Sequence, residues 1–133
     1  MSNELIRAAF EGRLKAWAAD KGLTVAWPNI NFKPPESRYL RSFLLPNNTR
    51  SDDLEGEHRR FLGVYQVSIV EPTGAGSGAA AALADELDAL FSAPLTNGAL
   101  RINLLRPMSA SAPIQEPDRW VVPVSASYRA DIY

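Results

Sequence analysis

The chain has 133 residues, 46% of them hydrophobic and 22% charged, which is typical of a globular protein that forms one domain, here residues 1–133. Fourteen lysines and arginines nearly balance 15 aspartates and glutamates, so specific binding of nucleic acid is not expected. The absence of cysteine and the presence of a single histidine exclude disulfides, thiolate chemistry and multi-histidine metal sites. No apolar run has the length of a signal peptide or a membrane span, so we expect no membrane partner and assembly in the cytoplasm.

The first segment has the periodicity of an amphipathic helix over residues 3–21. Ser2 or Asn3 can cap its start, and Gly22 is a typical stop. A short strand through Val25 follows, and three prolines make residues 28–37 an extended connector. The apolar stripe of the helix consists of Leu5, Ile6, Ala9, Phe10, Leu14 and Trp17.

The next apolar segment, Arg38–Pro46, has the length and aromatic content of a strand. Alternation places Tyr39 and Phe43 on one face and Leu40 and Leu44 on the other. Apolar residues on both faces indicate either an interior strand or a strand that a partner covers.

A polar run, Asn47–Arg60, follows this strand and is called the charged segment below. It is long for a connection within a compact domain, so it is either a solvated hairpin loop or a contact with a partner. The residues that we single out for partner contact are Arg50, Asp52, Asp53, Glu55, Arg59 and Arg60.

The second half of the chain begins with a predicted strand at Phe61–Val70. A glycine-rich loop, residues 74–78, separates this strand from a predicted helix at Ala79–Phe91. The apolar stripe of this helix consists of Ala80, Leu83, Ala84, Leu87, Leu90 and Phe91.

The last third of the chain is predicted to be strands and loops. Asn97-Gly98 indicates a turn before a strand at Ala99–Leu105, and Pro107–Pro117 is predicted to be a flexible loop. From Trp120 to Arg129 apolar and polar residues alternate, apart from Val121, as in a strand with one buried face. The order of elements predicts an α+β fold in which a mostly antiparallel sheet packs against two helices.

Three features could suggest chemistry, and none meets its requirements. The Gly74–Gly78 loop lies between a strand and a helix, but no lysine follows it, as a phosphate-binding loop would need. His58 lies among charged residues with no nucleophile near it in sequence, and Asp52–Glu57 lacks the spacing of a calcium-binding loop. We therefore predict no enzyme activity and no cofactor.

Many weak motifs, in a fixed order and spacing, make nearly the whole chain similar to a bacteriophage family of tail terminator-like proteins. The segments that carry the resemblance include Val25–Asn29, Phe32–Pro35, Tyr39–Arg41, Gly63–Val67, Pro72–Gly76, Ala82–Asp85, Trp120–Val124 and Tyr128–Asp131. The resemblance implies an α+β fold and a structural role.

Proteins of this kind form a six-membered ring on the end of the growing tail tube, stop its polymerisation and present a surface to the head connector. The resemblance therefore implies three partners, namely copies of the chain, the tail tube protein and the head–tail connector, and a location in the virion tail. The balanced charge suggests a monomer until the tube end supplies neighbours. The first alternative is another neck component. The second and less favoured alternative is a small-ligand-binding domain that uses the Gly74–Gly78 loop.

Overall fold

The computed structural model describes residues 2–28, 30–51, 59–74 and 78–132. It confirms the predicted α+β fold, since two helices accompany a mostly antiparallel sheet in this part of the chain. The elements are α1 (Ser2–Lys21), β1 (Val25–Ala26), β2 (Tyr39–Ser51), β3 (Arg59–Pro72), α2 (Gly78–Leu90), β4 (Leu95–Asn97), β5 (Leu100–Leu104), β6 (Ser109–Ala110), β7 (Ile114–Glu116) and β8 (Arg119–Ile132).

The first helix has the predicted extent and ends as predicted at a glycine. Gly22 has a φ of +70°, and its amide donates to the carbonyl of Ala19 at 3.2 Å. The amide of Leu23 donates to Ala18 at 2.9 Å, which completes the pair of hydrogen bonds that closes many helices.

The sheet is built around two long neighbouring strands, β3 and β8. Its strand order is β1-β2-β3-β8-β5-β4, and of the strand pairs in the described part of the chain only β1 and β2 are parallel. One edge of β8 pairs with β3 from Arg119 to Ile132. The other edge meets β7, then β6, then β5, so three short strands together complete the hydrogen bonding of one long strand.

The main core lies between the two helices and one face of the sheet. Phe10 of α1 stacks on Tyr65 of β3 with ring centroids 4.2 Å apart and an interplanar angle of 13°. The rings of Phe91 and Tyr128 lie 5.7 and 5.5 Å from that of Phe10. Both predicted helix stripes contribute to this core except at Leu5, which is 39% exposed, so each helix buries most of the side that its period indicates.

Within the described ranges, the opposite face of the sheet is covered at one end, by the connector after β1. Phe32 packs against Tyr39 there, with ring centroids 5.2 Å apart. The guanidinium of Arg119 donates to the carbonyl oxygens of Pro35, Glu36 and Ser37, which fastens the connector to β8. The rest of this face has no covering layer among the described residues.

The prediction of a loop throughout Asn47–Arg60 is wrong at both ends. Strand β2 continues to Ser51 and β3 begins at Arg59, and residues 49–51 pair with residues 59–61. The polar residues after Pro46 resemble a turn in sequence, but strand hydrogen bonds are made by the backbone and tolerate polar side chains. The register shifts between Pro46 and Thr49, so the strand is irregular at the two residues between them.

The prediction of a flexible loop at Pro107–Pro117 is also wrong. Strands β6 and β7 fall within it, because the free edge of β8 supplies hydrogen-bonding partners that the local sequence does not reveal. Strand β4 was not predicted either; it pairs with β5 across the Asn97-Gly98 turn, where Gly98 has a φ of +65°.

Candidate interaction surface

Of the predicted partner-contact residues, the described ones, Arg50, Arg59 and Arg60, lie where β2 ends and β3 begins. Arg50 lies on β2 directly opposite Arg60 of β3, and Arg59 lies opposite Ser51. Asp52, Asp53 and Glu55 are outside the described residues, as is His58.

The uncovered part of the sheet lies on the side opposite the helices, and we call it the open sheet face. Directly paired residues of antiparallel strands point to the same side, so the register gives its rows. Its rows are Phe43, Gln66 and Ser125; then Leu45, Val64 and Ser127; then Leu62, Arg129 and Asn103; then Arg60, Asp131 and Arg101.

The middle of the open sheet face is apolar and slightly concave. Leu45, Leu62, Val64 and Leu105 line a depression of about 340 Å³. Leu45 is 52% exposed and Leu105 is 54% exposed, while Phe43 beside them is 38% exposed. Large apolar side chains grouped in this way mark an interaction surface more often than scattered ones do.

One end of the open sheet face is basic. The Nε groups of Arg60 and Arg129 donate to the two carboxylate oxygens of Asp131 at 3.3 and 2.8 Å. Asp131 is buried beneath them, and the exposed Arg101 is its register partner on β5. Arg60 and Arg129 share Asp131, and Arg101, which is exposed, contributes positive charge at this end of the apolar depression.

A second ion pair borders the covered end of the sheet. Both terminal nitrogens of Arg41 donate to the carboxylate of Glu116, at 3.0 and 3.1 Å, and one of them also contacts the hydroxyl of Tyr39. These hydrogen bonds hold the pKa of Glu116 below its usual range. The pair joins β2 to β7 and so fastens the short strand that sequence analysis did not predict.

Two buried hydroxyl groups of the interior pair with each other. Tyr65 and Ser42 share a hydrogen bond of 2.7 Å between their buried hydroxyls, and burial raises the pKa of Tyr65. No group of three histidine, aspartate or glutamate side chains in the described ranges could hold a metal ion. In the glycine-rich loop, Gly74 has a φ of +91° and Gly78 begins α2, whereas residues 75–77 are outside the description.

Sequence reasoning missed most residues of this surface. Arg101, Arg129 and Asp131 lie on two strands and come together only through the register of β5 and β8. The apolar residues on both faces of β2 were the one available signal, since Leu45 is among those left exposed. Of the described helices, neither is long and apolar enough to cross a membrane.

Comparison with known proteins agrees with this architecture. A family model described as phage tail terminator protein matches residues 5–128. One solved structure is 42% identical in sequence to this chain and superposes on it with a TM-score of 0.82. The alignment covers 100% of this chain and 98% of the chain in that structure. No curated protein is significantly similar to the chain.

Proposed function

The chain belongs to the phage tail terminator family, and on that premise we propose that it caps the tail tube as a ring and stops tube polymerisation. Its role is structural, in phage tail assembly, and its location is the virion tail. The observation that carries the proposal is the match of the family over residues 5–128, which spans both helices and most of the sheet. The whole chain, residues 1–133, acts as one domain in this proposal.

The ring consists of copies of this chain, six in the form that the resemblance implies, and one side of it receives the head–tail connector. A subunit of such a ring needs two different, complementary surfaces. The exposed apolar part of the open sheet face supports the existence of at least one such surface. In isolation the chain is a monomer, and the tube end gathers its neighbours in the host cytoplasm.

The charged segment is the second contact in this proposal. Both signs of charge occur within a few residues, which suits contact between identical subunits. The residues concerned are Arg50, Asp52, Asp53, Glu55, Arg59 and Arg60. Reversal at Arg59 is expected to impair ring formation on tails without lowering the melting temperature. Intact ring formation in that variant would remove the charged segment from the interface.

Electron microscopy of particles from an induced lysogen that lacks this gene tests the function. Overlong tails without heads are expected, because nothing would then stop tube growth. A plasmid copy of the gene is the control and must restore normal length. Whole phages in the deletion strain would refute a role in virion assembly.

The same images test the nearest alternative. Another neck component, such as a head–tail joining or tail-completion protein, would leave tails of normal length that lack heads. The ligand-binding alternative predicts amide chemical-shift changes at Gly74 and Gly78 when nucleotide is added, and unchanged shifts would remove it.

A further inference from the structure

The isolated chain leaves an apolar area in water on the open sheet face. Leu45 and Leu105 are each about half exposed and lie on either side of the depression floored by Leu62 and Val64. Covering such side chains removes apolar surface from water and is favourable. Arg101 lies toward one end of the depression, whereas Arg41, on the same face beyond Phe43, is paired with Glu116. A partner that fits the depression therefore carries negative charge near the Arg101 end of an apolar surface.

The outward side of α2 has these properties. The helix contains three acidic residues and no lysine or arginine. Glu86 pairs with Lys21 of α1, and Asp88 accepts a hydrogen bond of 3.0 Å from the amide of Met108, so Asp85, which is exposed, is the acidic residue of the described helix that remains for a partner. Its exposed side also carries small apolar residues, namely Ala79, Ala81, Ala82 and Ala89. Because these side chains are small, a second surface can approach this side of the helix closely.

We propose that the open sheet face of one copy receives α2 of a second copy. The proposal rests on the proposed function and specifies which surfaces of the subunit meet in the ring. The alanines allow the helix to approach the sheet closely enough to contact Leu45 and Leu105, and Asp85, which is exposed, faces the arginines at the basic end.

This contact is head-to-tail, because the helix and the open sheet face lie on opposite sides of the sheet. A head-to-tail contact between identical chains closes into a ring when the rotation between neighbours permits. Each copy then uses both surfaces once. Neither apolar surface remains in water, which gives the ring a physical reason to form at a tube end that holds the copies close together.

Cysteine cross-linking tests the contact directly, since the natural chain has no cysteine. Leu45→Cys and Ala82→Cys are placed in one chain, expressed in the deletion lysogen, and treated with a short bismaleimide after the tails are purified. Both positions are exposed, and circular dichroism of the purified variants verifies the fold. The double variant is expected to give a ladder of covalent oligomers, whereas either single variant gives none.

Three results would overturn the proposal. Dimers from Leu45→Cys alone mean that two open sheet faces meet, and dimers from Ala82→Cys alone mean that two helices meet. The absence of any ladder on tails of normal length means that the ring uses other surfaces.

Charge reversal supplies an independent readout. Arg101→Glu or Asp85→Arg, added to the double cysteine variant, is expected to lower the cross-linking yield about fivefold to tenfold, because an attraction becomes a repulsion. Both reversals in one chain are expected to restore the yield, because each contact again joins opposite charges. A yield that either reversal leaves unchanged would remove the electrostatic part of the contact.

Failure of this contact and failure of the proposed function are separable. If the deletion strain makes overlong tails but the double cysteine variant gives no ladder, the proposed function is upheld. The contact between the open sheet face and α2 is then rejected. Whole phages in the deletion strain together with a ladder from concentrated purified protein reject the function and uphold the contact between copies.

Discussion

Gly63→Ala tests how tightly β2, β3 and β8 are packed. A β-carbon at this position would lie 2.5 Å from the hydroxyl oxygen of Tyr128, 2.7 Å from its Cζ and 2.6 Å from the carbonyl oxygen of Leu45. The carbonyl belongs to the backbone of the adjacent strand, and the ring of Tyr128 is buried against Phe10. Neither neighbour can move away without disturbing a strand or the aromatic core.

Two opposing terms set the expected loss of stability. Overpacking destabilises the folded state, whereas alanine lowers the backbone entropy of the unfolded chain and so offsets part of that cost. Overpacking of this severity costs about 3 kcal/mol, and replacement of a strand glycine by alanine recovers about 0.5–1 kcal/mol of backbone entropy. The net loss in the free energy of unfolding is therefore about 2 kcal/mol, or roughly 8 °C in melting temperature for a chain of this size.

Urea denaturation and thermal melting, both followed by circular dichroism, measure this loss. Gly12→Ala is the matched control, because a β-carbon at Gly12 would have no neighbour within 4 Å and alanine favours the helix. Gly12→Ala is expected to raise the free energy of unfolding by about 1 kcal/mol, whereas Gly63→Ala lowers it. A Gly63→Ala variant as stable as the parent would refute the steric argument. Tyr128→Phe removes the closest contact and is expected to rescue Gly63→Ala in part.

Three further substitutions test the core and its ion pairs. Phe10→Ala is expected to lower the free energy of unfolding by about 3–5 kcal/mol in urea denaturation, because a fully buried ring is lost; a loss below 1 kcal/mol would show that the stacked rings contribute little. Arg38→Met removes the ion pair of the buried Glu71 and is expected to lower the free energy of unfolding by about 3 kcal/mol. Adding Glu71→Gln should recover part of that loss, because it removes the buried charge that has lost its partner. If nothing is recovered, the loss does not come from an uncompensated charge at Glu71. Glu116→Gln is expected to lower the melting temperature at pH 7 but not in acid. Since the folded-state pKa of Glu116 is lowered by Arg41, its contribution is present above the unfolded pKa and is lost as pH falls through the folded pKa. The effect is below about 1 kcal/mol because the pair is part-exposed, and an equal decrease at every pH would contradict the linkage.

The periodic elements of this protein could be predicted because their signals are local. The stripe at Ile6, Phe10 and Leu14 places one side of α1 in the core, and all three are 0% exposed. The alternation after Trp120 likewise indicates the buried face of β8, where Val124 and Tyr128 are 0% exposed. A period of 3.6 or 2 residues specifies which side chains share a side, whatever the element packs against.

The extent of the strands and the composition of the open sheet face depend on tertiary structure. Strand β2 reaches Ser51 because β3 pairs with its backbone, and residues 109–110 and 114–116 are strands because β8 offers a free edge. Backbone hydrogen bonds between distant segments are nearly independent of side-chain polarity, so polar sequence does not reveal them. Asp131 meets Arg60 across 71 positions of sequence, and only the register of the sheet places the basic row beside an apolar depression. Composition and period thus determined the class of fold and the side that each helix buries, whereas strand pairing decided which face remains available to a partner.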